Sequence, residues 1–383
     1  MRRALERVEI PGEHEVRERA WRVSAAAFAE RQPAPQRGRR RLAPAIGVVV
    51  VGAVAAAAFS APGRALLRSI RETVGVQGAQ PALFSLPAAG QLLVHSNGGV
   101  WVVQADGSKR RLGSYTSASW SPHGLYIVAT RRNALYAVTP TGDERWSLGR
   151  PQVRSPRWTG TRADSRIAYL DRSGLRIVAG DGTADRLLTA RVEDVAPAWQ
   201  PGARHALAYA DSKTSLVVVD SDTGQPLWRA RSVPRVEQLA WSPDGRLLLV
   251  RGRRSLVVFR PDGVRLHDLL GPGAAAVTSA AFSPDGTAVA FVQHVAGRSD
   301  LWVVPRLRPH GSAARRVFSG AGRFANVAWS PDGRWLLLAW KDADQWLFIR
   351  SAGVRRLDAV SNISSQFRAQ GFPRVEGWCC AQP

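Results

Sequence analysis

Downstream of residue 90, short apolar runs alternate with short polar segments rich in glycine, proline and aspartate. Leu247–Val250 and Leu336–Ala339 each follow such a segment directly. A second β-rich run comes next in each unit and ends at another turn, for example Ser255–Phe259 before Asp262 and Gly263. Apolar runs of this length between turn residues are typical of strands. The pattern therefore predicts four short strands in every unit.

A five-residue phrase marks the start of most units. Trp-Ser-Pro-Asp-Gly at Trp241–Gly245 returns at Phe282–Gly286 and Trp329–Gly333, and with histidine in place of aspartate at Trp120–Gly124. Degenerate copies begin at Trp158 and Trp199. Proline, aspartate and glycine together favour a tight turn, so the aromatic residue is expected to end one strand just before the chain reverses.

The spacing of this aromatic residue predicts the architecture. It recurs every 38 to 47 residues, which is the period of one four-stranded blade of a β-propeller. Seven sets of later strands can be counted, but the set at 91–112 has no aromatic-ended strand in front of it. We expect Trp378, near the C-terminus, to supply that strand and close blade 1. The structural repeat then comprises Trp120, Trp158, Trp199, Trp241, Phe282, Trp329 and Trp378.

The predicted fold is therefore all-β, a seven-bladed propeller closed by a C-terminal strand. Six or eight blades stay open as alternatives, because the units at Trp158 and Trp199 are weakly marked. The repeated phrase resembles that of TolB-like and WD-repeat-like bacterial propellers over roughly residues 90 to 380. That resemblance implies a periplasmic binding module, an assembly scaffold or the gating domain of a peptidase.

The first 90 residues predict a membrane attachment. Residues 1–41 form a basic segment with one expected helix at 13–30, and residues 42–61 are uncharged and long enough to span a bilayer. The arginines just before the span place the N-terminus in the cytoplasm and the propeller outside. Residues 62–90 are expected to form a juxtamembrane amphipathic helix and a linker, and residues 91–383 the propeller. A cleaved export signal, or a buried helix in a soluble protein, remain as alternatives for 42–61.

The net charge of +23 favours anionic partners. A field of this size attracts anions such as phospholipid head groups or cell-wall polymers, whereas nucleic acid is unlikely to be reached from outside the cell. Arginines from loops on one face of the ring are candidate ligand-binding residues, although arginines on the opposite face leave the choice of face open. The candidates are Arg131, Arg132, Arg150, Arg154, Arg251, Arg253, Arg254 and Arg298.

Catalytic motifs are absent from the sequence. The histidines are scattered singly, and no Gly-x-Ser-x-Gly elbow or Walker-type glycine loop is present. The repeated Asp244, Asp285 and Asp332 are explained as turn formers rather than calcium ligands. We therefore expect no enzyme activity, no metal and no cofactor.

Two adjacent cysteines, Cys379 and Cys380, follow Trp378 directly. Neighbouring residues of a strand point to opposite faces, so a disulfide between them needs a local turn. Pairing with another chain, and two unpaired side chains, are the alternatives.

Two hypotheses for function follow from the sequence. The first is a membrane-anchored, extracytoplasmic binding or scaffold protein with a protein or anionic cell-envelope partner. The second is a transmembrane regulator, because the topology resembles that of membrane-bound anti-sigma factors, with the propeller as sensor and residues 13–30 binding a cytoplasmic protein.

Overall fold

The computed structural model describes residues 85–160, 164–202, 205–270, 274–307, 313–353 and 357–380. These residues form twenty-eight strands in seven four-stranded antiparallel sheets. The expected segments at 1–41 and 42–61, and most of 62–90, lie outside the described residues. Within the described ranges, no helix is long and apolar enough to cross a membrane.

The sheets follow one another along the chain as blades 1 to 7. Blade 1 contains β1 (Gln91–Ser96), β2 (Gly99–Val103), β3 (Lys109–Gly113) and the last strand, β28 (Arg374–Cys379). Blade 2 contains β4 (Ser117–Trp120), β5 (Ile127–Arg131), β6 (Ala134–Val138) and β7 (Glu144–Gly149). Blade 3 contains β8 (Arg154–Gly160), β9 (Ser165–Leu170), β10 (Leu175–Ala179) and β11 (Arg186–Thr189). Blade 4 contains β12 (Ala198–Trp199), β13 (Ala206–Ser212), β14 (Ser215–Asp220) and β15 (Pro226–Arg231).

The remaining blades have the same order. Blade 5 contains β16 (Gln238–Trp241), β17 (Leu248–Gly252), β18 (Ser255–Phe259) and β19 (Arg265–Asp268). Blade 6 contains β20 (Ala276–Phe282), β21 (Val289–Val295), β22 (Arg298–Val304) and β23 (Arg315–Ala321). Blade 7 contains β24 (Phe324–Trp329), β25 (Trp335–Trp340), a 3-10 turn (Lys341–Ala343), β26 (Gln345–Arg350) and β27 (Leu357–Ser361). A one-turn helix, α1 (Ile363–Gln366), leads from blade 7 to β28.

The ring closes as the sequence predicts. β28 is the inner strand of blade 1 and pairs with β1, with Trp378 opposite Leu92 and Cys379 opposite Gln91. Each inner strand contacts the next, in the cycle β28, β4, β8, β12, β16, β20, β24 and back to β28. The predictions of seven blades and of closure by a C-terminal strand are therefore confirmed.

The core lies between the blades. The described residues form seven apolar clusters, and each cluster joins one pair of neighbouring blades. The middle strands are buried almost throughout, as in β2, whereas the outer strands β7 and β15 alternate between exposed and half-buried residues. Each blade therefore depends on both neighbours to bury its apolar surface.

The turn after each intact phrase is held by its serine. The Ser242 hydroxyl accepts a hydrogen bond of 2.9 Å from the backbone N–H of Leu247 and donates one of 2.5 Å to Asp244. The serines at 283 and 330 make the same pair of contacts. Gly245 has a φ of 69°, and a Cβ there would lie 2.8 Å from the Pro201 carbonyl oxygen, so glycine is required.

We predict that a chain ending at Pro373 does not form a stable ring. Removal of β28 exposes the apolar side chains that pack against Trp378 and leaves β1 as an open edge, and both effects are unfavourable. Thermal unfolding followed by circular dichroism tests this, with a chain ending at Cys380 as the control. A truncated chain that unfolds as cooperatively as the control would contradict the role given to β28.

Candidate functional site

A cavity of about 380 Å³ opens at the end of the ring that carries the turns between first and second strands. It lies where blades 3 and 4 meet and where β12 contributes only two paired residues to its sheet. The lining residues are Pro122, Arg157, Trp158, Thr159, Pro197, Ala198, Trp199, Pro201, Gly202, Leu239, Ala240 and Trp241. We call this cavity the channel-mouth pocket.

Arg157 is the charged residue among those that line the pocket. It belongs to β8, and its Nη1 donates a hydrogen bond of 2.8 Å to the carbonyl of Pro156. No carboxylate of the described residues lies within ion-pair distance of its guanidinium. Burial lowers the pKa of Arg157, the Glu376 carboxylate farther away opposes this effect, and Arg374 adds to it. Among the described residues, the pocket thus contains a partly buried positive charge whose partner is a backbone carbonyl and not a carboxylate.

Thr159 supplies a second polar group from the same strand. Arg157 and Thr159 pair with Ala168 and Arg166 in regular register, so their side chains lie on the same side of β8. Thr159 is 7% exposed, and its hydroxyl has no hydrogen-bond partner among the described residues. The hydroxyl oxygen is not fully enclosed, so it is available to a ligand that enters the pocket.

Tryptophans and prolines form the apolar walls. The Trp199 indole donates a hydrogen bond of 3.0 Å to the Arg157 carbonyl, which fixes its ring across the boundary between blades 3 and 4. Trp158 stacks on Tyr126, with ring centroids 6.0 Å apart and an interplanar angle of 15°. Trp241 is buried in the boundary between blades 4 and 5. These rings are therefore rigid parts of the scaffold.

Several of the arginines predicted to bind ligand are used inside the protein. Arg150 pairs with Asp185, and Arg154 pairs with Asp194 at 2.6 Å. Arg251 donates hydrogen bonds to Glu237, Gln238 and the Val277 carbonyl, at 2.7 to 2.9 Å. Arg131 lies over the Tyr136 ring at 4.7 Å from its centroid, and Arg298 donates to Ser319 at 2.8 Å.

Three of the predicted arginines point to solvent. Arg132, Arg253 and Arg254 are exposed and have no side-chain partner among the described residues. They lie in turns between second and third strands, at the end of the ring opposite the channel-mouth pocket. The predicted set is therefore not brought together with Arg157, and the structure divides it between internal contacts and isolated surface charges.

Cys379 and Cys380 are bonded to each other at the end of β28. The chain turns locally to allow this, since Cys380 has a φ of 55°. The Cys380 sulfur lies 3.7 Å from the Pro122 carbonyl oxygen, in the turn that contributes Pro122 to the pocket.

Over the ranges that the structure describes, no three His, Cys, Asp or Glu side chains are placed to hold a metal ion. Asp285 accepts hydrogen bonds from the Ser283 hydroxyl and the Thr287 backbone, and these bonds lower its pKa. The same turn role is seen at Asp244 and Asp332.

Sequence reasoning missed Arg157 and Thr159. Arg157 is one of many arginines in the sequence, and Thr159 lies in the weak copy of the repeat that begins at Trp158. The departure of this copy from the repeated motif is the sequence signal that could have indicated the site. In the intact copies a serine at the position of Thr159 is tied to an aspartate two residues later, and blade 3 has Thr161 at that place.

Comparisons with known proteins support the fold and match one family model over part of the chain. Residues 254–370 match the family model of the lipoprotein LpqB β-propeller domain. The C-terminal WD40 domain of Sif2 is similar in structure, with a TM-score of 0.53 and 15% identity over 74% of this chain and 89% of that chain. A chain of a mitotic checkpoint complex has a TM-score of 0.50 and 18% identity over 69% and 90%. Hsv2 of Kluyveromyces lactis has a TM-score of 0.51 and 13% identity over 71% and 94%.

No curated protein matches the sequence. At these identities the structural likeness concerns the fold alone. The chain is thus a seven-bladed propeller with WD40-like structural neighbours and an LpqB-like segment.

Asp185 makes a pH-dependent contribution to the stability of blade 3. Its carboxylate is 6% exposed and accepts hydrogen bonds from Arg150, Arg176 and the Tyr169 hydroxyl. Burial by itself raises the pKa of Asp185, but the hydrogen bonds from Arg176, Tyr169 and Arg150 outweigh it, so the pKa lies below its usual value. The contribution to stability is therefore present above about pH 4 and is lost as the pH falls through the lowered pKa.

We predict that Asp185→Asn lowers the free energy of unfolding at pH 7 by about 3 kcal/mol, because it leaves two arginines facing a neutral amide. Urea unfolding at pH 7 and pH 3 measures this, and the difference from the unmodified protein should shrink at pH 3. Asp262→Asn is the control, since Asp262 and its partner Arg260 are both about half exposed. An equal effect of the two substitutions at pH 7 would contradict the assignment.

Proposed function

We propose that this protein is a non-enzymatic binding module of the cell envelope that holds an anionic ligand in the channel-mouth pocket. The observation that carries the proposal is the Arg157 guanidinium, which is partly buried in the lining of the pocket and has no carboxylate partner among the described residues. A partly buried charge without a counter-charge is less favourable than one in water, and an anion that enters the pocket offsets that cost. The placement of Arg157 in the pocket therefore favours the binding of an anionic ligand.

The lining of the pocket supports binding rather than catalysis. Its described lining residues include no carboxylate, imidazole, thiol or amine. General acid–base catalysis and nucleophilic catalysis need such groups within hydrogen-bond reach of the substrate. A lactonase-type use of the central channel would require several of them.

We further propose that residues 42–61 anchor the protein in the membrane with the propeller outside. The uncharged span and the arginines before it support this orientation. The matching family is named for a lipoprotein, which favours an envelope location for this chain as well. From that location the accessible partners are envelope proteins and anionic envelope components, and nucleic acid is not among them.

The regulator hypothesis remains as an alternative for the cytoplasmic side. It requires a stoichiometric cytoplasmic partner for residues 13–30. Affinity purification of the full chain and of a chain lacking residues 13–30 separates the two hypotheses. A transcription factor that copurifies only with the full chain favours the regulator, and its absence from both favours the binding module.

We predict that protease added to intact spheroplasts degrades the propeller and leaves an N-terminal epitope tag protected. The reason is that the positively charged segment before the span stays in the cytoplasm. Fractionation followed by immunoblotting of both ends measures this, with detergent-permeabilised cells as the control. Protection of the propeller in unpermeabilised cells would contradict the proposed orientation.

We predict that Arg157→Gln weakens binding of inorganic phosphate to the full chain by about tenfold, because a charge-assisted hydrogen bond is lost. Isothermal titration calorimetry of the detergent-solubilised protein measures the effect. Arg254→Gln is the control, since it removes an equal charge from the exposed surface at the other end of the ring. Equal affinity of both variants would show that net charge, and not the pocket, attracts the anion.

A further inference from the structure

The channel-mouth pocket also indicates which kind of anion it takes. We propose that its ligand is a small planar organic anion, with the anionic group bound by Arg157 and Thr159 and the ring held against the tryptophan-lined wall. This inference rests on the proposed function of the pocket and adds the chemical class of the ligand. Three features of the site support this inference. They are the Thr159 hydroxyl, which is not used by a turn, the single cation Arg157, and the rigid apolar wall.

The first feature is the hydroxyl of Thr159. In the intact blades the hydroxyl that follows the inner-strand aromatic residue is fully used by its own turn, as at Ser242 and Ser330. Blade 3 lacks the proline, aspartate and glycine of that turn, and the Thr159 hydroxyl has no hydrogen-bond partner among the described residues although it is not fully enclosed. A group that serves the fold in other blades is therefore free to bind a ligand in this one.

The second feature is the geometry of the polar pair. Arg157 and Thr159 are two residues apart on one side of β8, so their Cα atoms are separated by about 7 Å. The guanidinium has five N–H groups and uses one on Pro156. A carboxylate or phosphate has enough oxygen atoms to accept hydrogen bonds from the guanidinium and the hydroxyl together.

The number of cations limits the size of the ligand. Arg157 is the one charged side chain among the described lining residues. A polyanion such as a wall polymer or a nucleic acid is bound through a series of Lys and Arg contacts to successive charges. One cation inside a cavity of about 380 Å³ fits a small molecule with a single anionic group.

The third feature is the wall. Trp199 and Trp241 are each more than nine-tenths buried, and the Trp199 indole is held by its bond to the Arg157 carbonyl. Rigid aromatic residues beside a guanidinium favour flat ligands, because planar groups stack well and little conformational entropy is lost on binding. Pro197, Pro201 and Leu239 complete an apolar surface for the body of the ligand.

The experiment compares three probes by calorimetry on the detergent-solubilised full chain. 1-Naphthyl phosphate has both the ring and the anion, inorganic phosphate has only the anion, and 1-naphthol has only the ring. We expect 1-naphthyl phosphate to bind at least about tenfold more tightly than either of the others, since both parts of the site contribute. We expect Thr159→Val to weaken the binding of 1-naphthyl phosphate by about tenfold. Thr214→Val, in an exposed turn, is the matched control.

The possible outcomes test the ligand class, the roles of Arg157 and Thr159, and the proposed function separately. Equal affinity for 1-naphthyl phosphate and inorganic phosphate would overturn the planar class and leave the anion site of the proposed function intact. Equal affinity for 1-naphthyl phosphate and 1-naphthol would overturn the role of Arg157 and Thr159. Failure of all three probes to bind would overturn both the inference and the proposed function. Thermal unfolding of Thr159→Val shows that any loss of binding occurs in a folded ring.

Discussion

The hydroxyl that follows the inner-strand aromatic residue is the group on which the regularity of this ring depends. In blades 5, 6 and 7 it accepts a backbone N–H at 2.9 Å and donates to the turn aspartate at 2.5 Å. In blade 2 it keeps the backbone contact, although histidine replaces the aspartate. The turn ends each inner strand at the same place, so the blades meet as similar wedges around the channel. At blades 3 and 4 the phrase is lost, and the channel-mouth pocket opens there.

Ring closure is a second consequence of the same repetition. Blade 1 has no inner strand before β1, and the chain supplies one from its C-terminal part, where Trp378 occupies the position of the other aromatic residues. Because each apolar cluster is shared by two neighbouring blades, the seam is stabilised by the same kind of contact as every other boundary. The position of the disulfide beside Gly124 shows how closely the end of β28 approaches the turn of blade 2.

The fold was predictable from the sequence because local turn chemistry and strand periodicity both repeat along the chain. Aspartate, proline and glycine act within four residues, so their effect is read without knowledge of distant contacts. The role of individual arginines was not predictable in this way. Arg150 pairs with Asp185, which is 35 residues away, and Arg251 pairs with Glu237, which lies just before the neighbouring strand β16. Only the folded ring shows that Arg157 has no such carboxylate within the described residues.

The pocket was visible in the sequence only as an irregularity. Weak copies of a repeat are expected wherever selection for the turn is relaxed, so their weakness alone did not indicate a site. The structure adds that residues of both weak copies line one cavity and that Thr159 lies beside Arg157 in it.

Repair of the blade 3 repeat tests the central claim most directly. The variant carries Thr159→Ser, Gly160→Pro, Thr161→Asp and Arg162→Gly, and Arg162→Gly alone is its control. The account predicts that the repaired protein keeps its folded ring and binds 1-naphthyl phosphate about tenfold more weakly, because the hydroxyl is again occupied by its turn. A repaired protein that folds and binds this probe as tightly as the control would contradict the claim that the broken repeat makes the site.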